Sequence, residues 1–133
     1  MSVNGVLWRF ALAYVAALIA AGYILSYLGF ERGNGINVGI LAGCVLWVCM
    51  AFGKANRRYF TSSEKVAVIV GLLVIDLALQ FLVTLAAVSA KPSGPNSAAL
   101  LFALVFVGIL HAIGIYVFVG IAGKTLAKQD ISG

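Results

Sequence analysis

The chain has 133 residues, 63% of them hydrophobic and only 10% charged, with a formal net charge of +5 and a mean hydropathy of +1.11. A soluble domain carries about a quarter charged residues, so this composition excludes a water-soluble globule and describes an integral membrane protein with little mass outside the bilayer. The positive charge calls for no nucleic acid, because basic flanks facing anionic lipid account for it.

Four apolar segments, at about 7–28, 37–53, 66–88 and 97–122, each approach or exceed the ~20 residues that cross a bilayer. They are continuously apolar, without the alternation of a transmembrane β-barrel. The expected fold is all-α: one transmembrane domain spanning 1–133, a four-transmembrane-helix bundle.

The first segment has a small-residue face of Ala13, Ala17 and Ala21, with Ala16 and Ala20 beside it and Tyr14, Tyr23 and Tyr27 interspersed. Arg9 and the alanine-rich core imitate a signal peptide. The run is longer than a signal core, however, and no small-x-small cleavage site precedes Glu31, so the segment is expected to be retained as a helix.

The second segment is entered through Gly35, Gly39 and Gly43, two overlapping GxxxG steps in one stripe. Glycines at this spacing let helix backbones approach closely, and another helix of the same chain is the favoured partner. Cys44 and Cys49 fall on well-separated faces of this helix and read as apolar thiols, not a redox pair or metal site.

The link from Lys54 to Lys65 is the most polar part of the chain. Thr61-Ser62-Ser63-Glu64 matches a capping box, with Thr61 as N-cap. Lys54, Arg57, Arg58 and Lys65, with Tyr59 and Phe60, predict an interfacial belt against acidic lipid head groups. Docking of a partner at this surface is the alternative.

The third segment holds the most conspicuous residue, Asp76, in the middle of an apolar run. A carboxyl group at that depth costs a few kcal/mol or more unless it is neutralised, paired or wetted. Gln80 and Thr84 follow at i+4 and i+8 and share its face, which must point into the bundle or a water-filled cavity.

The turn before the fourth segment contains Pro92, Gly94 and Pro95, with Asn96 or Ser97 as the expected helix cap. This segment holds the chain's single histidine, His111, flanked by Gly108 and Gly114, which would admit a neighbouring helix. Counting inward from the same membrane face, Asp76 lies ~15 Å deep and His111 ~16 Å deep on consecutive antiparallel helices. A direct or water-bridged Asp76–His111 pair is expected. Three roles compete for it: a structural pin of helix register, a proton relay in a small transporter, and recognition of a partner helix.

Arg9, Lys54, Arg57, Arg58, Lys65, Lys124 and Lys128 flank one side of the bundle, against Arg32 and Lys91 on the other. This predicts an N-in/C-in topology with the middle link cytoplasmic. Enzyme chemistry is not expected. A second intramembrane aspartate, a Ser–His–Asp spacing and an HExxH motif are all missing, and nothing calls for a metal or cofactor.

The stretch Arg58-Tyr59-Phe60-Thr61-Ser62-Ser63-Glu64-Lys65 resembles the basic middle loop of a family of small four-helix inner-membrane proteins of proteobacteria. The resemblance implies a multi-pass protein of the bacterial inner membrane and does not itself point to an activity. Length and layout are superficially similar to small multidrug transporters and to the proteobacterial antimicrobial-efflux family. Both place an essential acid in the first helix, where this chain has none, Tyr14 and Ala17 being nearest in position. The expected function is therefore intramembrane helix–helix contact, as an accessory or inhibitory partner such as an immunity protein against a membrane-inserting toxin. The expected partners are the lipid bilayer and either another membrane protein or further copies of the chain. The alternative is a small proton-coupled transporter or efflux protein using Asp76 and His111.

Overall fold

The computed structural model describes residues 1–30, 34–90 and 96–129. Four helices account for nearly all of them: α1 (Val3–Leu28), α2 (Asn34–Asn56), α3 (Ser62–Ala90) and α4 (Ser97–Lys128). All four are long and apolar enough to cross a membrane, the architecture of a multi-pass membrane protein.

Helices α1, α3 and α4 run beyond their apolar segments where polar caps complete their end turns. The Ser2 hydroxyl accepts the Gly5 N–H at 3.2 Å at the start of α1. Gly29, in the left-handed region at φ 72°, closes the other end of α1 by donating to the carbonyls of Leu25 and Ser26. At the start of α3 the Thr61 Oγ1 accepts the Glu64 N–H at 3.3 Å, and the Glu64 carboxylate accepts the Thr61 N–H at 2.9 Å. This is the reciprocal bonding of a capping box. The same carboxylate receives the Arg58 guanidinium fork at 2.7 and 2.9 Å. Asn96 caps α4, its Oδ1 accepting the Ala99 N–H at 2.8 Å.

In the bundle α1 packs on α2 and α3, and α4 packs on the same two. Helices α2 and α3 therefore stand on a diagonal although they are consecutive in the chain, so the link between them crosses the bundle end. Arg57, at φ 50°, turns the chain out of α2. The crossing carries Tyr59 and Phe60 inward, which corrects the expected lipid-facing belt for these two residues. Phe60 is buried and stacked on Phe52 with ring centroids 4.1 Å apart. Tyr59 lies against Phe60 at 4.8 Å, and its hydroxyl donates to the Val119 carbonyl. Burial, and then the neighbouring Cys49 thiol, push the Tyr59 phenol well above its ordinary value, so it remains a neutral donor. Gly123 makes room for this ring, because a Cβ there would sit 2.7 Å from Tyr59 Cε1.

Met1 completes the closure, its ammonium donating to Asn56 Oδ1 at 2.6 Å while Asn56 Nδ2 donates back to the Met1 carbonyl at 2.9 Å. Lys54, Arg57 and Arg58 are exposed at this closed end, and Lys65 places its ammonium 5.8 Å from the Tyr116 ring centroid. Arg9, Lys124 and Lys128 lie in the halves of α1 and α4 nearest the same end. Arg32 and Lys91, the two opposing charges, lie outside the described residues.

The core follows stripes at three- and four-residue spacing. Helix α1 buries Val6, Phe10 and Tyr14; α2 buries Leu41, Val45, Val48 and Phe52; α3 buries Val68, Leu72 and Asp76. Helix α4 contributes Gly108, His111, Ile115, Val119, Ala122 and Leu126. Large apolar side chains on the outer faces, among them Trp8, Val74, Phe106 and Ile113, are exposed as a lipid-facing surface requires. Cys44 is half-buried, Cys49 is buried, and both are free thiols.

The glycine stripe of α2 does not pack inside the chain. Gly35, Gly39 and Gly43 are exposed, and a Cβ added to any of them would meet nothing within 4 Å. The core stripe of α2 passes through Leu41 and Val45, and a position two residues away lies ~200° round the helix, on the far side. This corrects the expectation of an internal partner. Gly108 does sit at a helix contact, since a Cβ there would come 2.9 Å from Leu77 Cδ2 on α3. Gly114 admits no neighbouring helix, its space being bounded by Phe118 of its own helix.

Candidate functional site: a polar layer under a cavity

Asp76 occupies the centre of α3, 14 residues from either end of Ser62–Ala90. It continues the stripe of Val68 and Leu72, so helical periodicity turns it to the bundle axis and buries it completely. Its carboxylate collects donors from three helices. Tyr14 of α1 donates its hydroxyl to Oδ1 at 2.8 Å. Gln80, one turn along α3, donates Nε2 to Oδ2 at 2.6 Å. His111 of α4 places Nδ1 2.8 Å from the same Oδ2.

The proton inventory follows from these contacts. Two lone pairs facing each other at 2.8 Å would repel, so one proton lies between Nδ1 and Oδ2. Gln80 Nε2 also lies 2.8 Å from His111 Nδ1, the third side of a triangle in which both nitrogens aim at Oδ2. With Nδ1 committed to the carboxylate, Nε2 is the imidazole atom left to exchange a proton or accept a ligand. No bond to Nε2 occurs among the described residues, while Asp76 has a donor on each oxygen.

Asp76 and His111, level by depth, are thus in direct contact. Thr84 also lies on the shared face, but its hydroxyl is spent on the Gln80 carbonyl at 2.8 Å. Two participants were not singled out from the sequence. Tyr14 had a readable signal in periodicity: it continues the stripe of Val6 and Phe10 at four-residue spacing, whereas its depth of ~10 Å from Leu7, where the apolar run begins, falls short of the ~15 Å of Asp76. Asn37 sits at the border of the second apolar segment, and it extends the α2 core stripe one turn beyond Leu41.

Beyond the polar layer the helices part. A cavity of about 260 Å³ extends from Tyr14, Gln80 and His111 past Asn37 and Thr84, away from the closed end, with aliphatic side chains of α1, α3 and α4 as its walls. Asn37 Oδ1 is buried at this wall without a hydrogen-bond partner, the single such side-chain atom among the described residues. An unsatisfied buried acceptor costs roughly 1–3 kcal/mol, and beside a cavity a donor from its contents removes that cost.

Comparisons with protein-family models, with curated proteins and with solved structures return no match to this chain.

Proposed function

We propose that this protein is a small carrier-type membrane protein whose working part is the Asp76–His111 pair, loaded with protons and a small solute through a cavity open on one side. The observation that carries this reading is the position of the pair: His111 lines one end of a cavity, and the core stripes of all four helices pack on the other side of the pair. A pair serving only to pin helix register needs no cavity over it, no free imidazole nitrogen turned from its partner and no orphaned acceptor on the wall.

The basic flanks of the closed end favour placing that end in the cytoplasm and the cavity on the opposite side. The layout and the 58–65 turn favour a bacterial inner membrane. In this reading the structure is the outward-open state, and transport requires the packed half to part while the open half closes.

The single histidine makes the test direct. With the protein in lipid nanodiscs, the ring ¹⁵N resonances of His111 should respond to bulk pH, as a proton exchanged through the cavity requires. Asp76→Asn should alter that response. A ring blind to bulk pH would overturn the reading.

A second reading draws on the outward stripe of Gly35, Gly39 and Gly43, a surface on which another transmembrane helix could pack closely. It makes the protein an accessory or inhibitory subunit, of the kind an immunity protein would be. Recovery from native membranes as a monomer without companions would remove it.

A further inference from the structure

We infer that the cavity takes a small organic cation bearing N–H groups, an alkylammonium-like solute, in exchange for the proton of His111. This rests on the proposed function above and names the chemical class of its solute.

Charge accounting leads to the cation. Imidazolium with carboxylate leaves the polar layer neutral, and loss of the Nε2 proton leaves it at −1 near the centre of the bundle, where an uncompensated charge is costly. Among the described residues no other charged side chain faces the pair. Helix α1 presents the Tyr14 phenol, α2 the Cys44 thiol near that phenol, α3 the uncharged Gln80 beside Asp76, and α4 His111 itself. No lysine or arginine is within the layer to balance a deprotonated site. A solute cation in the cavity would do so.

The exchange balances. The Nε2–H bond of the imidazolium breaks and its proton leaves to water. The Nδ1 proton stays against Asp76 Oδ2, and the site returns to neutrality with one cation bound.

The orphan acceptor leads to the N–H groups. Asn37 Oδ1 is buried, unpartnered and on the cavity wall, so it requires a donor. A primary ammonium offers three, whereas a quaternary ammonium of the same charge offers none. The aliphatic remainder of the wall suits an alkyl body, and about 260 Å³ restricts it to a small one.

The experiment uses n-butylammonium, butyltrimethylammonium and n-butanol as probes on the full chain in nanodiscs, read by the His111 ¹⁵N resonances and by a pH dye in weak buffer. At a pH where His111 is protonated, butylammonium should shift the ring resonances and release about one proton per cation bound. It should bind about tenfold or more tightly than the quaternary ion, and butanol should release no proton. Asn37→Leu should erase the primary-over-quaternary preference. Should that variant fail to fold, the wild-type ratio alone decides. A ring that titrates with bulk pH but ignores both cations would overturn this inference while leaving the proton site standing. A ring blind to pH and to cations would overturn both. Equal binding of the two cations would overturn the role given to Asn37 and with it the N–H requirement.

Discussion

The two ends of this bundle are built on opposite principles. At the closed end an aromatic plug, an amide clasp on Met1 and interlocking stripes hold the helices together, leaving a groove at the rim along Gly53, Arg57, Tyr59, Gly123 and Leu126. At the open end the same helices continue as regular α-helix with exposed side chains and a cavity between them. Apolarity does not distinguish the halves, since both are strongly apolar. What differs is what lies on the axis: Phe10, Phe52, Leu72 and Ile115 on one side of the polar layer, and Asn37 and Thr84 beyond it. In lipid, helices associate through packing and hydrogen bonds rather than by escaping water. A half without interlocking side chains therefore has little holding it shut, and the polar layer is the last strong tie before it.

The most severe way to break this contrast is to remove that tie. Asp76→Leu would leave the Tyr14 hydroxyl, the Gln80 amide and the His111 imidazole without their shared acceptor. Losing one partner of a buried pair costs about 3–5 kcal/mol, read as a lowered unfolding midpoint by circular dichroism in detergent. Asp76→Asn keeps the shape and an acceptor oxygen, so it should remain folded while altering the pH response of His111. If both variants were equally stable, the layer would not be holding the helices together.

A smaller effect is expected from overfilling the closed end. Gly123→Leu would drive a side chain into the Tyr59 ring, which its hydrogen bond to Val119 prevents from yielding freely. Overpacking of this kind costs about 1–3 kcal/mol, measurable as the same midpoint shift. Removing the α3 cap should cost less, with Thr61→Ala losing ~1 kcal/mol and fraying the first turn, detectable as faster amide exchange at Ser63 and Glu64.

These residues also show how far the sequence could be read. Four helices and their approximate ends follow from apolar run length, and the Asp76–His111 contact follows from counting residues inward along antiparallel helices. The closed end was harder to read. Tyr59 and Phe60 have the composition of an interfacial belt, and only the diagonal placement of α2 and α3, a property of the whole bundle, turns them inward. Tyr14 and Asn37 were obscured because α1 and α2 begin before their apolar runs, which changes the apparent depth of a residue near a run's edge. The cavity depends on where four stripes stop interlocking, which no single segment encodes.

The smallest expected effect sharpens the comparison most. Gly39 lies on the outer surface of α2 toward the open end, where an added side chain meets nothing within 4 Å. Gly39→Leu should therefore change the stability of the isolated chain by no more than ~0.5 kcal/mol, as exposed substitutions usually do, and leave the His111 titration as in the wild type. If the stripe is used for contact outside the chain, the same substitution should abolish cross-linking to a neighbouring helix in native membranes, because bulk at one GxxxG position keeps the backbones apart. An unchanged cross-linking pattern would mean that the open half works through its cavity alone. A lost pattern with an unchanged His111 titration would mean that the cavity and the outer face serve separate purposes on one helix.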